Sequence, residues 1–472
     1  MATPIGSTKT EEIVCIVART KPSGYNVFSL KETSTEEHKS FQLSSHQAAD
    51  LSQSLLDEFL IDEIPEYLRS SPARRVHVVV STQSGTGLAL DFYNAVLNPL
   101  LQSLGLSSAE KNRDLLGLPA NTTDGNSYDL TITQDAQSIR KFAKELNQGV
   151  RGQEPGHTVI LLSGDGGVVE MLNGKERGDG GNESRELPPL IAILPLGTGN
   201  ALFHSLHKPI HASHGSSQVS ALVLGLRTLL RGHGAPLPSF SASFSPGSGS
   251  VSYSNSDATD PAPSPEGVEE HFDSISHLYG AIVASYGFHS QLVWESDTPE
   301  YRKHGDKRFG MVAAELLKES HAYNTTVQLT YTDGSTPQQL DRDQHAYVLA
   351  TMVSNLEKAF TISPASKPLD GKLRLVHFGA VSGQKTMDIM MQAYAGGKHV
   401  GMQWTTDDGK EEQVGYDEIQ EVKVTTLEED ARWRKVCIDG AIVELPRGGS
   451  MVVKTEEISH LQILVDRSLK PI

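Results

Sequence analysis

Three short loops carry the residue types that handle phosphate: Ser84-Gly85-Thr86-Gly87, Gly164-Asp165-Gly166-Gly167 and Gly197-Thr198-Gly199-Asn200. Glycine lets the backbone approach an anion, and a helix that follows directs N–H groups and a partial positive charge at it. Asp165 is a carboxylate between glycines. It could deprotonate a hydroxyl nucleophile or help hold Mg²⁺. It could equally cap the following helix through N–H groups. The residues alone leave both readings open. The loops contain no G-x-x-x-x-G-K and no clear G-x-G-x-x-G, so the usual P-loop and dinucleotide readings fail.

The elements around these loops have one rhythm. Residues 76–80 (VHVVV), 158–162 (TVILL) and 190–194 (LIAIL) are short apolar runs, suited to buried parallel strands. Each runs into one of the glycine loops, and a helical pattern follows. Residues 88–101 place Leu88, Phe92, Val96 and Leu100 at helical spacing, and 135–147 and 218–230 read as further helices. Three strand–loop–helix units argue for an α/β domain with a parallel sheet. In such sheets ligands bind beyond the carboxyl ends of the strands, so the three loops are predicted to converge on one phosphorylated ligand.

From about residue 236 alternation replaces the helical period, as in TTVQLTYT, HAYVLATMVS and LQILVD. Only 308–319 and 385–394 read as helices there. Many short strands predict an antiparallel, sandwich-like second domain. The expected fold is a Rossmann-like α/β domain at 73–232 followed by a β-rich domain at 233–472, with a strand-rich extension at 1–72. Lacking the length for its own core, the extension is expected to add strands to the second domain. Residues 245–270, rich in Ser, Pro, Gly and Asp, read as a disordered insertion, and 176–186 as a smaller loop insertion.

Composition excludes several classes. The chain has 472 residues, which suggests two to four domains. Its 41 Lys+Arg and 58 Asp+Glu give a net charge of −17, unsuited to a general nucleic-acid binder. Two cysteines, Cys15 and Cys437, make neither a disulfide scaffold nor a Cys-rich zinc site, and the reduced cell interior fits best. The N-terminus has no signal-peptide pattern, and no apolar run approaches the ~18 residues of a spanning helix. The expected location is cytoplasmic, with transient association to membrane surfaces.

At the loops the chain resembles the diacylglycerol kinase/sphingosine kinase superfamily of lipid kinases. SGDGGVVEMLNG at 163–174 resembles its GDG segment. LPLGTGNAL at 194–202 resembles its P-x-G-[TS]-G-N loop, and 81–101 resembles its first phosphate loop and helix. The sphingosine kinase branch is the closest, because YGF, ES, YR, a glycine and an arginine recur in order across 286–308. Asp439-Gly440 resembles the start of a D-G-E motif. The resemblance runs from about residue 76 to 444.

The resemblance implies an ATP-dependent lipid kinase that uses Mg²⁺ and meets its lipid by peripheral membrane contact. The substrate would be a sphingoid long-chain base, or diacylglycerol or ceramide. Asp165 would be the general base. Ser84, Gly85, Thr86, Gly164, Gly166, Gly197, Thr198, Gly199 and Asn200 would line ATP, and Arg302 and Arg308 would neutralise its phosphates. Asp439 would lie near the phosphates through the metal.

Four departures bear on activity. The first loop has Ser81-Thr82 where Asn-Pro is usual, and Thr86 and Leu88 where lysines are frequent. Gly167 replaces the threonine of GDGT, and Ala441 replaces the glutamate of D-G-E. Sphingosine kinases place a lipid-reading acid after the G-F segment. Aligned from Tyr286 rightward that position is Val293, and aligned from Tyr301 backward it is Glu295. An apolar residue there would favour a neutral lipid, because an unpaired ammonium is costly to bury. Two alternatives stand beside the lipid kinase: a catalytically degenerate lipid- or nucleotide-binding regulator, motivated by these departures, and a soluble-substrate kinase of the NAD kinase type.

Overall fold

A computed structural model describes residues 8–34, 39–82, 84–85, 87–109, 126–135, 137–146, 155–174, 188–213, 219–253, 270–305, 307–406 and 409–469. Thr86 and the insertion at 176–186 therefore lie outside the described residues. The chain divides into two compact units, Met1–Leu237 with Ser459–Ile472, and Pro238–Ile458.

The first unit is built on a seven-stranded sheet. Its order is His233–Pro236, Gln462–Val465, Leu190–Pro195, Gly156–Ser163, Arg74–Val80, Ser127–Ile132 and Ser107–Ser108. All neighbours are parallel except the outermost pair, His233–Pro236 on Gln462–Val465. Central positions such as Val78, Ile160 and Ala192 pair in register and are buried. A strand covered on both faces has no solvent side, so its apolar run is continuous rather than alternating. Arg74–Val80, Gly156–Ser163 and Leu190–Pro195 are consecutive neighbours in this sheet. Their three loops therefore leave adjacent strand ends.

The N-terminal residues form a separate four-stranded sheet, ordered Lys39–Ala48, Ser23–Ser34, Ile13–Thr20 and Leu60–Ile61. It corrects the expectation that these strands extend the second domain. Val14, Cys15, Phe28 and Leu30 share one core with Val78, Leu97 and Leu226 of the α/β unit. The Ile13–Thr20 strand packs on the Ala221–Arg231 helix. The second correction is at the other end. Residues 462–465, read as a strand of the second domain, return to the first unit's sheet beside Leu190–Pro195.

The second unit is antiparallel. A path of strands runs from Glu270–Ser274 through Gly249–Tyr253, Ala441–Glu444, Lys435–Ile438, Val283–Gly287, Gln344–Thr351 and Tyr323–Thr330. It continues through Glu421–Thr426, Ser450–Thr455 and Phe240–Phe244 to His277–Gly280. Phe240, Val327 and Val422 share a core with Tyr286, Val348 and Val436. Strands that distant along one path can meet only if the sheet closes over its own apolar face. Gly249–Tyr253 pairs with two strands, and Val251 is buried beside Cys437 and Ile442. Within the tract expected at 245–270 as a disordered insertion, Gly249–Tyr253 is a strand, Glu270 begins another, and 254–269 lies outside the described residues. Phe288–Ser296 is a helix that the alternation concealed, beside the expected helices Lys307–Glu319 and Gly383–Tyr394. Among the described residues, no helix is long and apolar enough to cross a membrane.

Candidate active site

The three glycine loops touch one another at the strand ends. A Cβ on Gly85 would lie 2.6 Å from the Cα of Gly197, and one on Gly164 would lie 2.7 Å from the same atom. These glycines are required because three backbones cross in one place. Gly85 also has a φ of +54°, which a side chain would strain. Ser84 ties the first two loops, its Oγ accepting the Gly164 N–H at 2.9 Å. Asn200 holds the third loop on itself. Its Oδ1 accepts the Gly197 N–H at 3.0 Å and its Nδ2 donates to the Gly197 carbonyl at 2.8 Å. Asn200 sits at φ 53°, where a short amide side chain is tolerated.

Gly85, Gly166 and Thr198 remain exposed on these loops, with Ser84 and Gly199 half-buried. A Cβ on Gly166 would meet nothing within 4 Å. Among the described residues, the surface so formed is backbone with the hydroxyl-bearing Ser84 and Thr198. It fits the phosphate chain of a nucleotide.

Asp165 opens the Asp165–Leu172 helix, but its carboxylate does not cap that helix. It crosses to the third loop and accepts the N–H groups of Ala201 at 2.6 Å and Leu202 at 3.1 Å. These are the first residues of the Ala201–Ser213 helix. Two effects compete on its charge. The helix N-terminus and its two N–H donors favour the carboxylate, while burial disfavours it. Burial wins, and the pKa is pushed up to about 6. Each carboxylate oxygen retains a lone pair for a further proton. The glycine at 167 also finds its reason. A Cβ there would lie 2.5 Å from the Oγ of Ser163, so a threonine at 167 cannot coexist with this serine.

The remaining expected residues lie in the second unit. Arg302 makes a two-point pair with Asp297, Nε to Oδ1 at 3.0 Å and Nη2 to Oδ2 at 2.6 Å. Arg308 places Nη2 3.9 Å from the same carboxylate. Asp297 thus gathers both arginines, and sequence reasoning missed it. Its only signal was an acid five residues before Arg302. Glu295 accepts from Gln291 at 2.6 Å and from Arg432 Nε at 3.0 Å. Its charge is already matched by that guanidinium. Val293 packs as a half-buried residue against Val251, Cys437 and Ile442.

Asp439 is buried at 6% exposure, with φ 48°. Its carboxylate accepts the N–H groups of Ala281 at 2.6 Å, Ile282 at 3.1 Å and Val283 at 2.5 Å. It ties the turn at 281–283 to the turn at 439–440. This differs from the expected metal role, because a carboxylate saturated by backbone donors has no face left for a cation. Among the described residues, no group of three His, Cys, Asp or Glu is placed to hold a metal ion. The donor set around Asp439 does not fit Mg²⁺.

No curated protein matches the chain. The chain matches two solved structures, a diacylglycerol kinase and a putative diacylglycerol kinase, both from Bacillus anthracis strain Sterne. One is 13% identical, with a TM-score of 0.46, over 85% of this chain and 100% of its own. The other is 15% identical, with a TM-score of 0.49, over 85% and 98%. Residues 75–226, which hold all three glycine loops and Asp165, match the family described as the diacylglycerol kinase catalytic domain.

Proposed function

We propose that this chain is an ATP-dependent lipid kinase, transferring the γ-phosphoryl group of ATP to a primary hydroxyl of a lipid. The observation that carries the reading is Asp165. It is a carboxylate of raised pKa fixed by two N–H groups at the point where three glycine loops meet. The family match over 75–226 supports it.

ATP supplies the phosphoryl group. Ser84, Gly85, Gly166, Thr198 and Gly199 form the surface for its phosphates, Gly164 and Gly197 bring the loops together, and Asn200 keeps the third loop in shape. The lipid oxygen forms its bond to the γ-phosphorus as the bond to the β–γ bridging oxygen breaks. The hydroxyl proton passes to Asp165, and ADP leaves. A base of pKa near 6 suits this task near neutral pH better than an ordinary aspartate, because it is still ionised yet holds a proton more firmly. Arg302 and Arg308 are assigned to substrate anions, where guanidinium forks fit phosphate.

The substrate class is a long-chain base, diacylglycerol or ceramide. The pairing of Glu295 with Arg432, and the apolar packing of Val293, favour a neutral lipid alcohol over an ammonium-bearing base. Such a lipid is met at a membrane surface by a cytoplasmic protein. Radiolabelled ATP offered with a panel of diacylglycerol, ceramide and sphingoid bases tests the assignment. Transfer to a lipid is expected, with diacylglycerol or ceramide preferred. Tight ATP binding without turnover on any lipid would instead favour the regulator, which Ala441 and the altered first loop motivate.

A further inference from the structure

Between residues 297 and 308 three charged side chains, carried at three helix ends, come together. Asp297 follows the last residue of the Phe288–Ser296 helix, and its N–H donates to the Trp294 carbonyl. Pro299 opens a single turn that ends at Arg302, whose N–H donates to the Thr298 carbonyl at 2.9 Å. The Arg308 N–H donates to the Gly305 carbonyl at 3.2 Å, in the first turn of the Lys307–Glu319 helix. These turns collect charges that their own helices disfavour. A carboxylate is unfavourable at a helix C-terminus, and a guanidinium at an N-terminus. The Arg302–Asp297 pair is also exposed, at 38% and 43% of the two side chains, where an ion pair adds little to stability. Local rules broken without a gain in stability mark functional positions.

Asp297 engages the Nε–Nη2 edge of Arg302 with both of its oxygens. Two parallel bonds fix the plane of that guanidinium and direct its remaining donors away from Asp297. The same Oδ1 lies 3.9 Å from Arg308 Nη2, and the Arg308 guanidinium stands over the Phe309 ring at 4.9 Å. Two guanidinium groups repel one another, and the shared carboxylate offsets that repulsion before any substrate anion arrives. The three glycine loops contain no lysine or arginine. The cations assigned to substrate phosphate are these two.

We propose that Asp297 is a positioning residue for phosphoryl transfer. It holds Arg302 and Arg308 as a preassembled cationic pair, so that the nucleotide phosphates do not have to gather and order them. The proposal rests on the kinase reading of the chain.

The test compares the full wild-type chain with Asp297→Asn and Asp297→Glu. Calorimetric titration with ATP reads binding. Steady-state transfer to whichever lipid the substrate panel accepts reads KM and kcat, and thermal unfolding reads stability. Asp297→Asn removes the charge and one of the two acceptor oxygens. It should weaken ATP about tenfold and raise the KM for ATP by a similar factor, with the KM for lipid within twofold of wild type. Asp297→Glu keeps the charge and both oxygens, and should recover at least half of the lost affinity. Both variants should melt with the wild type, because the pair is exposed. Tighter ATP binding in the Asn variant would make Asp297 a competitor of the phosphates and overturn the proposal. So would ATP affinity within twofold of wild type in the Asn variant, or a Glu variant no better than the Asn one. The kinase reading fails separately. A wild type that binds ATP but transfers to no lipid refutes that reading, and the ATP titrations of the variants then decide the role of Asp297 by the same outcomes. A wild type that binds no ATP refutes both.

Discussion

Replacing Asp165 by asparagine should separate catalysis from stability, and in a pH-dependent way. Burial raises the carboxyl from an ordinary 3.8 to about 6. A difference of about two pH units corresponds to about 3 kcal/mol. The native state binds the proton more firmly than the unfolded chain. The associated stability is therefore fully present below pH 4 and lost as the pH rises through 6. At pH 7 the wild-type protein carries this burden of about 3 kcal/mol. Asparagine is neutral at all pH values and escapes it. Ala201 and Leu202 bond different carboxylate oxygens, and the amide replaces one of them by an NH₂ donor, so one N–H loses its acceptor at a cost of about 1 kcal/mol. The variant should thus be about 2 kcal/mol more stable than wild type at pH 7, and about 1 kcal/mol less stable near pH 4. Urea unfolding of both proteins from pH 4 to 7 reads the difference directly, because every other group titrates alike. Phosphoryl transfer in the same variant should fall by about 10²–10⁴. A stability difference that stays constant from pH 4 to 7 would refute the burial argument, and undiminished transfer would remove Asp165 from the mechanism.

Other outcomes follow from the same geometry. Gly197→Ala should lower stability by about 1–3 kcal/mol in urea unfolding, since its Cβ meets the Gly164 backbone. Gly166→Ala has open space and should be neutral in the same measurement while weakening ATP in calorimetry. Asp439→Asn should cost about 2–4 kcal/mol, because buried N–H groups at 281–283 lose acceptors. A chelator should leave the wild-type melting temperature unmoved, and a drop of several degrees would contradict the reading of Asp439 as a backbone clasp. Glu295→Gln should change the ratio of transfer to sphingoid base and diacylglycerol by less than threefold, because Arg432 already answers that carboxylate. A selective loss of transfer to the base would restore Glu295 as its reader.

Sequence reading reached the α/β unit through periodicity. The runs around Val78, Ile160 and Ala192 are too short and too uniformly apolar for surface elements, and the glycines after them mark where the chain leaves the sheet. The antiparallel second unit was legible from alternation for the same local reason. Helix Phe288–Ser296 was not, because nine residues with apolar groups on both sides fit neither period.

By itself the sequence determined where backbone must be bare of side chains, where a carboxylate sits among those positions, and that the chain changes architecture near residue 236. Tertiary structure alone decided what each of these residues faces. Asp165 caps a helix that begins 36 positions later. Glu295 meets an arginine 137 positions away. The N-terminal strands and residues 462–465 join the first unit although they lie at opposite ends of the chain. The physical reason is common to all of them. Side-chain period and turn chemistry depend on neighbours along the chain, whereas a charge's partner and a strand's sheet depend on which apolar faces close together.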